Sequence, residues 1–133
     1  MSNPIPISVP GIAAPGGHYS HGVRHGNRLY ISGQLPIEPD GSHRPEAPLA
    51  RQAERALRNL LAVLEAGGAR PETLLKVTVY LVGVENWPEF NRVYGELLSA
   101  ARPARAVVPV PALHYGYLVE VDAVAAIVEE GTI

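Results

Sequence analysis

LARQAERALRNLLAVLEAGGARPETLLKVTVYLV, residues 49–82, changes its apolar period midway. Leu49, Ala53, Ala56, Leu57, Leu60, Leu61 and Leu64 recur at helical spacing, with Arg51, Glu54, Arg55, Arg58 and Glu65 on the other face. Gly67-Gly68 then offers the left-handed backbone that commonly ends a helix. From Leu74 to Val82 the period falls to two, Val77, Val79 and Leu81 alternating with Lys76, Thr78 and Tyr80, which predicts a half-buried strand. The rest of the chain is read outward from this helix–strand unit.

Downstream, Asn86 opens a second helix, with Glu89 three residues on as a capping-box partner and Trp87, Phe90, Tyr94, Leu97 and Leu98 as its apolar stripe. Strands are predicted at Val107–Val110 and Leu118–Val128. Pro109 and Pro111 lack a donor on the same side of their strand, which suits a sheet edge or a gap in pairing. Upstream, Tyr19–His25 and Arg28–Gln34 read as two strands joined at Gly26-Asn27, and the proline-rich 35–48 as a loop. Residues 1–17, with Pro4, Pro6, Pro10 and Pro15, read as an extended lead-in, and 18–133 as one domain. The predicted order is β-β-α-β-α-β-β, an α+β domain whose mixed sheet carries two helices on one face. Apolar residues on both parities of the last strands imply that other subunits cover the second face.

With 133 residues and 47% hydrophobic composition, a folded monomer would hide about two thirds of its extended-chain surface. A net charge of −2 with scattered basic residues predicts no electrostatic grip on nucleic acid or anionic membrane. The absence of cysteine removes disulfides and thiolate chemistry. No apolar run approaches the roughly 20 residues that cross a bilayer, and the first residues lack a signal-peptide pattern, so a cytoplasmic protein is expected. P-loop, dinucleotide-binding and G-x-S-x-G motifs are missing, and Lys76, the one lysine, lies on the polar parity of its strand. His18, His21 and His25 lack a carboxylate cluster that would complete a metal site.

Arg105 heads the apolar run Ala106-Val107-Val108. A buried guanidinium must be paired, because it does not shed its proton. It either snorkels to water or a local carboxylate, or it holds an anion brought from outside. Glu120 and Asp122 share one face of the last strand, either as a solvated face or as a working carboxylate. Asn91 interrupts the stripe of the second helix, and Ser32 with Gly33 interrupts the second strand where backbone can approach a neighbour closely.

YSHGVRHGNRLYISGQLPIEPDG (19–41), LEAGGA (64–69), KVTVYLVGVENWPEFNRVYGEL (76–97), PARAVVPVPAL (103–113) and YLVEVDAVA (117–125) together resemble the Rid/YjgF family of reactive-intermediate deaminases. P-A-R followed some fifteen residues later by V-E-V is the most specific part. The resemblance implies a chorismate-mutase-like fold, a homotrimer with clefts between subunits, and cofactor-free, metal-free hydrolysis of 2-imino and 2-enamino acids to 2-oxo acids and ammonia. It implies that Arg105 grips the substrate carboxylate and Glu120 positions the water, while Tyr19, Ser32, Gly33, Asn91 and Val107 line the cleft. Val107, Pro109 and His114-Tyr115-Gly116 depart from the family pattern, the last replacing an L-P-x-G loop with bulkier side chains. Three other readings remain: a carboxylate-metabolite binding protein without turnover, a deaminase of a larger aminomuconate-type acid, and the ribonuclease label attached to some relatives. The missing basic groove opposes the last.

Overall fold

The computed structural model describes residues 3–128. Its strands are β1 (Ile5–Ile7), β2 (Gly22–His25), β3 (Arg28–Gln34), β4 (Leu74–Leu81), β5 (Ala104–Pro109) and β6 (Val119–Ala126), with helices α1 (Leu49–Ala66) and α2 (Trp87–Leu98). They form one mixed sheet in the order β1-β2-β3-β6-β4-β5. Only the β4–β5 pair, joined through α2, is parallel. The sequence-derived order stands, with a sixth strand added at the front: Ile5–Ile7 pairs antiparallel with β2, so part of the lead-in belongs to the sheet. β5 forms the opposite edge, and Pro109 lies at its end, as proline's missing donor requires.

Helix α1 lies on β3 and β6 and packs against α2. Val77, Val79, Val119, Val121, Leu57, Leu60 and Phe90 are fully buried in the core between sheet and helices. Each contributes on the order of 1.5–3 kcal/mol by leaving water. α1 ends in a Schellman arrangement: Gly68 takes φ +87°, its amide donates to Glu65 O, and the Ala69 amide donates to Leu64 O. Two polar residues of α1 are buried because they hold the loops beside it. Asn59 donates to Leu35 O and Ile37 O, while Gln52 donates to Pro45 O and Ala47 O and accepts from the Leu118 amide.

Several boundaries differ from the sequence reading. Tyr19, Ser20 and His21 precede β2 rather than belonging to it, so His21 and His25 do not share a strand face. In the β2–β3 turn only Gly26 has a positive φ, fitting a turn with glycine at its first central position. No capping box forms at α2, because Asn86 is already helical and its side-chain amide donates back to Val82 O. Trp87 turns outward and Val93 takes a core place in the stripe. β5 begins three residues earlier than expected, which puts Arg105 inside the strand.

Candidate active site

β3 pairs regularly with β6 up to Ile31↔Ala123 and resumes at Gln34↔Val121, so three steps on β3 match two on β6. Ser32 and Gly33 therefore occupy a β-bulge, a device common beside functional sites. Ser32 Oγ donates to Ser20 O at 2.5 Å and ties the bulge to the segment before β2. Gly33 faces the Glu120 side chain so closely that a Cβ there would stand 3.1 Å from Glu120 Cδ and nearer still to Oε2. Glycine is thus used here to admit a carboxylate.

A cavity of about 480 Å³ opens at this end of the sheet. Its lining includes Tyr19, Ser32, Gly33, His114, Tyr115 and Glu120. Gln34 donates to His21 Nδ1 at 3.1 Å, and His21 Nε2 donates to Ala13 O at 2.7 Å, fastening the 12–19 segment along one wall. Tyr115 also lines the cavity, its hydroxyl close to Gly16 of that segment, and its φ of +62° is unusual for a side chain of that size. Its ring stacks on His43 at 4.2 Å, and the Tyr117 hydroxyl bonds His43 Nδ1 at 3.0 Å. Burial pushes the Glu120 carboxyl above its ordinary range; the charge of His114 opposes that shift and Asp122 adds to it. A carboxylate so placed is a stronger base than a solvated one.

Arg105, Asn91 and Val107 do not line this cavity. The register explains why. Arg105 is paired with Val77 and Val107 with Val79, both core residues, so these β5 side chains face the helices. Glu120 is paired with Tyr80 and alternates with the buried Val119 and Val121, so it points from the other face. Strand β4 separates the two. Arg105 and Glu120 of one chain lie on opposite faces of one sheet.

The half-buried Arg105 guanidinium has no carboxylate partner among the described residues. Nη1 donates to Asn91 Oδ1 at 2.9 Å, and Cζ lies 4.8 Å from the Tyr94 ring centroid. An amide oxygen and an aromatic face orient a cation without neutralising it. The Tyr94 hydroxyl is buried without a hydrogen-bond partner among the described residues, and burial raises its pKa while Arg105 pulls the other way. Val107 packs against the core. The sequence reading did not find the Tyr94 platform, although Asn91 and Tyr94 stand three residues apart on one helix face. His114 and Tyr115, which the resemblance set at the cleft, do line the cavity, whereas Asn59 of α1 was not foreseen there.

The fold and these groups define an α+β chain that carries an arginine with no carboxylate partner among the described residues and a carboxylate perturbed by burial, on opposite faces of one sheet. No helix among the described residues is long and apolar enough to cross a membrane. The family described as Endoribonuclease L-PSP matches residues 11–127, and the chain belongs to it, within the Rid/YjgF group that the sequence motifs indicated. The human 2-iminobutanoate/2-iminopropanoate deaminase is 33% identical over 127 residues, covering 94% of this chain and 93% of that protein. The crystal structure of the YjgF gene product of E. coli matches with a TM-score of 0.86 and 30% identity, over 92% of this chain and 98% of that one. E. coli TdcF, solved with bound serine, matches with a TM-score of 0.87 and 26% identity, over 93% and 99% of the two chains.

Proposed function

We propose that the protein hydrolyses 2-imino and 2-enamino acids to 2-oxo acids and ammonia, without metal or cofactor. The observation that carries this reading is Arg105: a half-buried cation, oriented by Asn91 and Tyr94, with no protein anion beside it among the described residues. A substrate carboxylate meets the guanidinium fork bidentately. Glu120, its carboxyl raised by burial, holds a water and takes its proton as oxygen attacks the C=N carbon. The carbinolamine then collapses: Glu120 returns that proton to the nitrogen and takes the hydroxyl proton as the C=O forms and ammonia departs. The names of relatives such as the human deaminase support the same chemistry, and the serine bound to TdcF supports a site for a small amino acid skeleton.

Because Arg105 and Glu120 point from opposite faces, the reading requires a second copy, with the β5 edge of one chain set against the Glu120 cavity of the next. A homotrimer closes such contacts into a ring. Light scattering at micromolar concentration should return three times the chain mass; a monomer would contradict the shared cleft.

The decisive assay generates imino acids in situ with an amino-acid oxidase and follows 2-oxo acid release. Acceleration by the protein, lost in Arg105→Ala with the oligomer intact, supports the reading. Acceleration retained in that variant removes the carboxylate-anchor role. A second reading, turnover of a larger acid, is favoured by the cavity of about 480 Å³ with Tyr115 on its wall. A panel of short, branched and aromatic side chains separates the two.

A further inference from the structure

His114 belongs to a short helical turn, 114–116, immediately before β6. The turn reverses sharply because Tyr115 and Gly116 both adopt positive φ, +62° and +77°. This reversal sets His114 on the rim of the same cavity as Glu120. The Tyr115 ring beside it, centroid to centroid at 6.2 Å, is held in turn by His43. No hydrogen bond or ion pair among the described residues engages the His114 ring, although its charge is felt at the Glu120 carboxyl. Of the two histidines that line the cavity, His21 has both ring nitrogens engaged, by Ala13 O and Gln34, so His114 is the one that imine hydrolysis through Glu120 leaves unused.

The unused one answers a chemical need. An enamine carries its nucleophilic carbon at C3 and presents no C=N carbon until C3 gains a proton. Resting on the deaminase reading, we propose that His114 is the catalytic acid that protonates C3 of 2-enamino acids. The C2=C3 π pair forms the new C3–H bond with the imidazolium proton, and the nitrogen lone pair becomes the C=N π bond. This leaves an iminium ion and a neutral imidazole, which recovers its proton from solvent through its exposed ring. Water activated by Glu120 then adds to C2. Histidine suits the step because an imidazolium can give a proton and the imidazole left behind can take one back.

Two substrates sharing one carbon skeleton isolate the step. D-Alanine with an amino-acid oxidase supplies 2-iminopropanoate, whereas L-serine with a serine dehydratase supplies 2-aminoacrylate, its enamine tautomer. Pyruvate release is measured from each with wild type, His114→Gln and His114→Asn. The expected result is a loss of about 10²-fold on the enamine in both variants, as for removal of a general acid, while imine turnover changes only by the upward shift of its acidic pH limb, so that the enamine-to-imine rate ratio falls by about that factor. The imine arm also reports that the variants are folded. Equal losses on both substrates, or no loss on either, overturn the assignment while leaving the deaminase reading in place. Failure of the wild type to accelerate either substrate overturns both.

Discussion

Gly33→Ala tests the link between the bulge and the carboxylate most directly. The added Cβ would lie 3.1 Å from Glu120 Cδ and 3.5 Å from Cγ, with Oε2 closer than either, so the Glu120 side chain must swing away. Its carboxyl is the free end of a flexible chain, and the cost is that of an off-rotamer side chain, about 0.5–1.5 kcal/mol. Unfolding entropy near 2.1 cal/mol/K per residue, over 133 residues, converts this to a fall in Tm of roughly 2–5 °C. Activity should suffer far more, since displacing a catalytic group by about 1 Å can cost ~10²-fold.

Thermal melts at fixed protein concentration, run beside the imine assay, read both effects. In a Glu120→Ala background the Cβ has nothing to strike, so Gly33→Ala should no longer lower Tm, a coupling that a double-mutant cycle measures directly. Gly67→Ala supplies the contrast. There the Cβ would stand 2.6 Å from Cδ1 of the fully buried Leu29, which has no solvent to move into. Overpacking of that kind costs about 1–3 kcal/mol, without loss of activity per folded molecule. Strictly additive Tm changes for Gly33→Ala and Glu120→Ala, or full activity in Gly33→Ala, would refute the argument.

Other expectations follow from the same geometry. Arg105→Lys keeps the charge but loses the fork that meets Asn91 and a carboxylate together; at about 1.5–3 kcal/mol for a charge-assisted bond, kcat/KM should fall roughly 10–150-fold. Asp122 raises the Glu120 pKa, and Glu120 must be deprotonated to act as base. Activity is therefore lost as pH falls through that pKa, and Asp122→Asn should move the acidic limb of the pH–rate profile downward. His114 has the opposite effect on Glu120, so His114→Gln should move the imine limb upward. Tyr94→Phe removes a buried hydroxyl that has no partner among the described residues and keeps the ring under Arg105, so chemical denaturation should show unchanged or slightly higher stability.

Periodicity made much of this legible from sequence. The stripes of α1 and α2 and the alternation of β4 and β6 are repeated signals, each summing several apolar positions. β1 escaped because three residues, one a proline, give no period; at an edge, Pro6 is tolerated since a neighbour lies on one side only. β5 was shortened because Ala104 and Arg105 carry no apolar signal, although the parallel ladder to β4 includes them. The bulge at Ser32-Gly33 was half legible, glycine marking a close approach without revealing that the approaching group is Glu120. The cavity walls were the least legible. The positive φ of Tyr115, the His21–Ala13 tie and the stacking of His43 depend on where loops meet, and no local spacing encodes that.

The opposition of Arg105 and Glu120 across the sheet carries the strongest consequence for the proposed cleft. Side-chain direction in a strand is fixed by parity, and a one-residue slip would reverse every neighbour along with it. Local flexibility in one chain therefore does not bring the two groups to one substrate, and the proposed cleft calls for a second copy. Mixed oligomers make this measurable. Arg105→Ala and Glu120→Gln should each be inactive alone. Refolded together in equal amounts, they should form some clefts in which an intact Arg105 meets an intact Glu120 of the neighbour. Random assembly of a cyclic trimer makes that roughly a quarter of all clefts, and the same fraction of wild-type activity should return. A site contained in one chain would return none, because every chain in the mixture carries one of the two lesions. Recovery near one quarter and its absence are far enough apart that a single mixing experiment distinguishes a shared cleft from a self-contained one.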